Sequence, residues 1–205
     1  MSTEKRKYEM RARAERQEET RRRTVEATVA LHEEVGPAQT TVAEIARRAG
    51  VQRLTVYNHF PDDGELFAAC SGHYLEAHPP PPLEDALAIE DPVRRTTVAL
   101  ERFYERWAET EPMTYKILRD RSVLPALDER VRMTVDTGLD ALASELATGF
   151  RARGQRADRL RALIRVALDF WTWRSLRAQG LSSEAAARLM ADTVACEARR
   201  ERRRS

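Results

Sequence analysis

Gln52, Arg53, Leu54, Tyr57, Asn58 and His59 crowd into one short stretch, VQRLTVYNHF (residues 51–60). At helical i,i+4 spacing, Arg53 stacks above Tyr57 and Leu54 above Asn58, giving two adjacent rows that begin at Gln52. These side-chain types suit the major groove of DNA. Arginine pairs bidentately with guanine, glutamine or asparagine with adenine, and a leucine can meet a thymine methyl. Tyr57 and His59 have polar tips that can reach phosphates. The plainer alternative is a helical hairpin with an ordinary polar surface, although such a hairpin would rarely gather so many base-compatible groups.

The flanking residues must hold this face. Thr41 and Glu44 have the Thr-x-x-Glu spacing of a capping box that opens a helix. Val42, Ile45, Ala46 and Ala49 follow at i, i+3, i+4 and i+7 and form one buried stripe. Gly50 can take the left-handed conformation that ends a helix. Val51 then re-enters the core, and Val56 and Phe60 anchor a second helix. Two short helices joined by a tight glycine-containing turn make a helix-turn-helix. Upstream, Val25, Val29, Leu31 and Val35 predict a helix over 24–35 ended by Gly36-Pro37. Downstream, Pro61 turns the chain, and Asp62 with Glu65 opens a further helix.

HPPPP at 78–82 excludes helix, so a connector is expected up to about residue 90. Amphipathic helices are predicted over 92–110, 113–121, 124–152, 158–179 and 183–199, punctuated by Pro112, Pro125, Gly154 and Gly180. The expected fold is all-α with about nine helices. No run of alternating β-branched residues between turn signals argues for a strand.

The 205 residues carry a net charge of only +2, unevenly spread. Residues 1–60 hold 12 Lys and Arg against 9 Asp and Glu, and residues 61–198 hold 18 against 23. One end is therefore suited to face a polyanion. Residues 4–23 are almost wholly charged, with Glu9–Arg13, Glu18–Arg22 and Glu19–Arg23 at i,i+4. They read either as a solvated helix or as an arm reaching phosphates or a minor groove. No apolar run spans a membrane or marks a signal peptide. Cys70 and Cys196 lack metal-ligand spacing and read as core thiols of a cytoplasmic protein. HEEVG at 32–36 lacks the second histidine of a zinc-protease helix. No phosphate-binding glycine loop or Gly-x-Ser-x-Gly is present. No enzyme, cofactor, metal or catalytic residue is expected.

TTVAEIARRAGVQRLTVYNHF (residues 40–60), followed by PDDGELF, resembles the DNA-binding domain of the tetracycline-repressor (TetR) family of bacterial regulators. The resemblance covers residues 24–70. It implies a three-helix helix-turn-helix domain at 24–70 after a basic extension at 1–23. A helical ligand-binding and dimerisation domain would follow at 71–199, with a basic tail at 200–205. It further implies that Thr41 contacts phosphate and that Gln52, Arg53, Leu54 and Asn58 face bases or backbone. Tyr57 and His59 would bind phosphate, and Thr55 completes the set. Two positions depart from the family pattern. Gln52 stands where many members have a capping Ser or Thr. Asp63 stands where many have a Lys, so a phosphate anchor is expected to be missing, and the extension is a candidate to replace it.

The family also implies a cytoplasmic, nucleoid-associated homodimer on a roughly palindromic double-stranded operator, with repression as the default and no membrane partner. Apolar stripes at Leu160, Leu163, Ile164, Ala167 and at Leu189, Met190, Val194 are the candidate dimer face. Phe103, Tyr104, Trp107, Tyr115, Met133, Phe150, Phe170, Trp171 and Trp173 either line a cavity for a hydrophobic or aromatic small molecule or are plain core. A transcriptional activator, a nonspecific DNA binder and an all-helical enzyme are the competing readings.

Overall fold

Residues 2–199 are described by a computed structural model, and every regular element among them is helical. The expected tail at 200–205 lies outside the described residues. The described residues divide into two compact units, those up to 79 with 112–131, and 80–111 with those from 132 on.

In the first unit, α1 (Ser2–Glu34) runs unbroken, so the charged stretch continues the helix backwards. Its ion pairs differ from those expected. Arg11 pairs with Glu15, while Arg22 bridges Glu19 and Glu26. The apolar side begins at Val25, where the helix meets α2 (Val42–Ala49), α3 (Arg53–His59) and α4 (Asp63–Ala77). Val25, Leu31, Ile45, Ala46, Val56, Phe60, Leu66 and Cys70 form one core. Thr24 and Thr28 are buried beside it, with hydroxyls donating to the Thr20 and Thr24 carbonyls at 2.8 and 2.7 Å. Burial pushes the Cys70 thiol up to about 12, so it stays protonated as a core residue. Residue 70, read as a domain end, falls inside α4.

The same unit takes the end of α6 (Pro92–Asp120) and α7 (Pro125–Val131). Phe67 of α4 packs with Leu127 and Val131 of α7. Two cations of α6 close the C-terminus of α1. Lys116 Nζ donates to the Glu33 carbonyl at 2.5 Å, and Arg119 Nη2 to the Val35 carbonyl at 3.2 Å. They satisfy carbonyls that have no intrahelical partner and oppose the negative helix end. Asp120, buried, accepts from the Ala38 amide at 3.0 Å and from Arg119. It thereby fixes the short 3₁₀ turn Pro37–Gln39.

The second unit contains α5 (Glu84–Leu87), the first part of α6, α8 (Thr137–Thr148), α9 (Gln155–Ala167), α10 (Phe170–Ala178) and α11 (Ser183–Arg199). Leu100, Tyr104, Leu146, Leu160, Ile164, Leu168, Phe170, Trp173 and Val194 are essentially fully buried within it. Cys196, expected as a core thiol, is exposed on α11.

Three expected boundaries moved. Pro112 lies inside α6 and does not end it. Proline removes one amide from the ladder but a helix can run through it when its neighbours pack, as buried Met113 does here. The helix expected over 158–179 breaks at Asp169, whose backbone is extended and whose side chain accepts from the Trp171 amide at 2.8 Å. That is an N-cap hidden inside a continuous apolar period. The stretch expected as one helix over 124–152 holds a π turn at Arg132–Asp136, whose Arg132 carbonyl accepts from the Thr137 hydroxyl at 2.8 Å. Helical periodicity does not register the extra residue of such a turn. The last predicted helix, 183–199, has the bounds of α11.

Candidate nucleic-acid interface

The turn between α2 and α3 explains how a short helix can be held so firmly. Thr41 caps α2, its hydroxyl accepting from the Glu44 amide at 3.2 Å. Gly50 sits at φ 66°, ψ 39°, and the Val51 amide reaches back to the Ala46 carbonyl at 2.9 Å. This closes the helix end with a left-handed residue, a conformation glycine takes without steric cost. Val56 and Phe60, buried to 1% and 3% exposure, then pin the inner side of α3. Gln52 begins α3 without a side-chain cap, as its type suggests.

The outer side of α3 faces solvent. Gln52, Arg53, Leu54, Tyr57 and Asn58 are exposed, and Thr55 and His59 are half-buried. Thr41 is exposed at the start of α2. Leu54 and Tyr57 are 66% and 53% exposed, an unusual outlay of large apolar surface for so short a helix. The neighbouring cations of α2 are already committed. Arg48 donates to both Glu34 carboxylate oxygens at 2.6 and 2.7 Å, and Arg47 pairs with Glu44. Among the described residues Arg53 forms no ion pair, which leaves its guanidinium available to a ligand.

Beside α3 runs a groove of about 750 Å³ walled by α1. Thr55, Asn58 and His59 line one side, and Arg13, Arg16 and Arg21 the other, with Glu18 the single carboxylate. Arg21 also stacks over the Phe60 ring, 4.9 Å from its centroid. At the start of α4, Asp62 caps the helix through the Glu65 amide at 2.8 Å, and exposed Asp63 adds a second carboxylate.

Residues 25–70 match the model for bacterial regulatory proteins of the tetR family. This segment is therefore similar to the DNA-binding domain of that family. Solved tetR-family structures share the fold over most of the chain. A TetR-like transcriptional regulator from Rhodococcus sp. RHA1 is 20% identical with a TM-score of 0.58, covering 85% of this chain and 93% of that one. A tetR-family regulator from Streptomyces coelicolor is 18% identical at 0.57, covering 86% and 81%. NalD, the secondary repressor of the MexAB-OprM multidrug efflux pump in Pseudomonas aeruginosa, is 21% identical at 0.56, covering 88% and 96%. No curated protein matches the chain.

The residues expected for the second unit divide by burial. Leu160, Ile164, Ala167 and Val194 are buried inside their own unit, where α9 packs on α11. Leu163 and Met190 are half-buried, and only Leu189 of the expected set is exposed, at 47%. The outward residues are instead Ala162 and Val166 on α9 and Leu189 and Thr193 on α11.

The aromatics separate likewise. Tyr104, Trp107, Phe170 and Trp173 are buried; the Trp107 ring lies edge-on to Phe170 at 5.7 Å, and Phe170 lies tilted against Trp173 at 5.4 Å. Their polar atoms are met by protein. Tyr104 donates to the Ala167 carbonyl at 2.7 Å, Trp107 to that of Leu168 at 3.3 Å, and Trp173 to the Ser183 hydroxyl at 3.2 Å. The first two of these bonds cap the C-terminus of α9, a structural task. Phe103 and Phe150 are half-buried, and Trp171 is 40% exposed. Met133 is 70% exposed on the π turn, and Tyr115 belongs to the first unit, so neither joins this cluster.

Proposed function

We propose that the chain is a sequence-specific transcriptional regulator that binds double-stranded DNA through the outer face of α3. The carrying observation is that face: Gln52, Arg53, Leu54, Tyr57 and Asn58 exposed together on a helix pinned by Val56 and Phe60 within the family-matched segment. Arg53, Leu54 and Asn58 read bases, with Gln52 at the entry. Thr41, Thr55, Tyr57 and His59 hold backbone. The protein acts as a cytoplasmic homodimer through the outward side of α9 and α11, and its operator half-sites lie about 34–36 Å apart. A hydrophobic or aromatic small molecule held in the second unit favours a dimer with misspaced recognition helices and so releases DNA. NalD is named as a repressor, and repression is the corresponding reading here.

Fluorescence anisotropy with the DNA upstream of the protein's own gene and with a scrambled duplex tests this reading. Binding should favour the upstream duplex by at least about 1,000-fold. Equal affinity for both would count against an operator at that place, and affinity for neither against DNA binding itself.

The acidic start of α4 yields a separate expectation. Asp63→Lys replaces a carboxylate that repels phosphate with an ammonium, and it should tighten binding about tenfold at 0.1 M salt while steepening the salt dependence by about one. Asp62 keeps the cap, so the cost in stability should be limited to the helix-dipole contribution of about 1 kcal/mol. Unaltered affinity and slope would show that this helix start does not approach the backbone.

A further inference from the structure

The groove between α1 and α3 contains a wall that the family match does not include, since that match begins at residue 25. Residues 4–23 hold nine Lys and Arg against five Glu. The carboxylates are partly used internally, by Arg11 and Arg22. Arg13 and Arg16 form no ion pair among the described residues and are exposed. Their positions are not arbitrary. Arg13, Arg16, Gln17, Thr20 and Arg21 recur at helical i, i+3, i+4, i+7 and i+8 spacing, so one face of the extension looks into the groove.

That face stands opposite Thr55, Asn58 and His59 of the helix read as base-contacting. A strand of DNA backbone running past α3 would carry one phosphate negative charge per nucleotide along such a groove. Its walls offer guanidinium forks on one side and neutral hydrogen-bonding groups on the other, chemistry that fits phosphate oxygens. Glu18 is the lone opposing charge. Beyond the groove, the residues before Ala12 whose side chains are described are exposed on every side, Tyr8 to 74% and Met10 to 60%. A charged helix without a packing partner is marginal in water, and a polyanion alongside would stabilise it.

We infer that the extension of α1 forms a phosphate-binding clamp with α3, in which Arg13 and Arg16 hold the DNA backbone flanking the bases read by Arg53 and Asn58. The inference rests on the DNA-binding reading above and extends it to residues outside the helix-turn-helix. It also supplies, from α1, the anchor that Asp63 denies at α4.

The test is the salt dependence of binding of the full chain to a mixed-sequence 40-base-pair duplex, since phosphate contacts do not depend on base sequence. The Arg13→Ala/Arg16→Ala double variant should have a log K against log salt slope shallower by about two per subunit bound. Arg153→Ala, an exposed arginine of the second unit, should keep the wild-type slope. Both substituted arginines of the double variant are exposed, so the circular dichroism spectrum should report a folded chain. An unchanged slope in the double variant would overturn the clamp while leaving DNA reading by α3 intact. A loss half as large or more in Arg153→Ala would also overturn it, by showing a net-charge effect without a site. Absence of wild-type binding to any duplex at low salt would overturn the clamp and the DNA-binding reading together.

Discussion

Gly36→Ala should lower the midpoint of thermal unfolding by about 10 °C, the equivalent of about 3 kcal/mol for a chain of this size. Gly36 lies at φ 95°, ψ 160°, a region that side chains rarely adopt and that costs about 1–3 kcal/mol for other residues. Sterics add to the backbone strain. A Cβ at this position would come within 2.4 Å of Arg119 Nη2 and 2.6 Å of Asp120 Oδ2. Those two atoms are the grip of α6 on the turn after α1, so making room for the methyl means displacing the Asp120 carboxylate from the Ala38 amide. Hydrogen bonds to a charged group contribute about 1.5–3 kcal/mol, and part of that would be lost. Gly50→Ala is the internal comparison. It has φ 66° but only Arg23 at 3.9 Å nearby, so it should cost about 1–2 kcal/mol. Differential scanning calorimetry on both variants decides the matter, and a Gly36→Ala midpoint equal to wild type would refute the account of this turn.

Stability should fall by about 3 kcal/mol as the pH drops from 6.5 to 4, because of His32. His32 is 3% exposed on α1, with its ring 5.8 Å from that of Phe67. Burial lowers its pKa from 6.5 to about 4, against a smaller opposing pull from the Asp120 carboxylate. The folded state therefore holds His32 neutral, while the unfolded chain takes up a proton below 6.5. The unfolded state binds more protons throughout that window, so acid favours unfolding, and the loss is complete near the folded value of about 4. Asp120 contributes at lower pH with the same sign. Burial raises its pKa, but Arg119, the Ala38 amide and His32 together hold it below the ordinary carboxylate value. Urea titrations at a series of pH values should show the slope between 6.5 and 4, and His32→Gln should flatten it. A variant as acid-sensitive as the wild type would assign the effect to other groups.

The helix-turn-helix was legible in the sequence because its determinants are local. Thr41, Gly50, Val56 and Phe60 act within a few residues of their partners, and a cap or an i,i+4 anchor appears as spacing. The grip of Lys116, Arg119 and Asp120 on the end of α1 had no such signature, since its partners lie more than 80 residues away in the chain. Pro112 read as a break because proline is weighed locally, whereas the packing of Met113 is tertiary. In the second unit, the apolar stripes of Leu160, Ile164 and Val194 are visible in the sequence, but periodicity states only that a face is buried. It does not distinguish a neighbour in the same chain from a second copy. The groove beside α3 was half legible. The charge of the extension was plain, but the register placing Arg13 and Arg16 opposite Asn58 and His59 required the fold.

The central claim is that α3 reads base sequence, and selection from a pool of random duplexes tests it with no operator sequence assumed. The wild-type chain should enrich one motif of two-fold symmetry, with half-sites about one helical turn or a small multiple apart. Arg53→Ala should recover the same motif with one position per half-site relaxed, at a cost of about 1–3 kcal/mol for the preferred base. Enrichment of no motif by a folded wild-type protein, or an identical motif with identical stringency from Arg53→Ala and Asn58→Ala, would contradict the assignment of α3 as the reading helix.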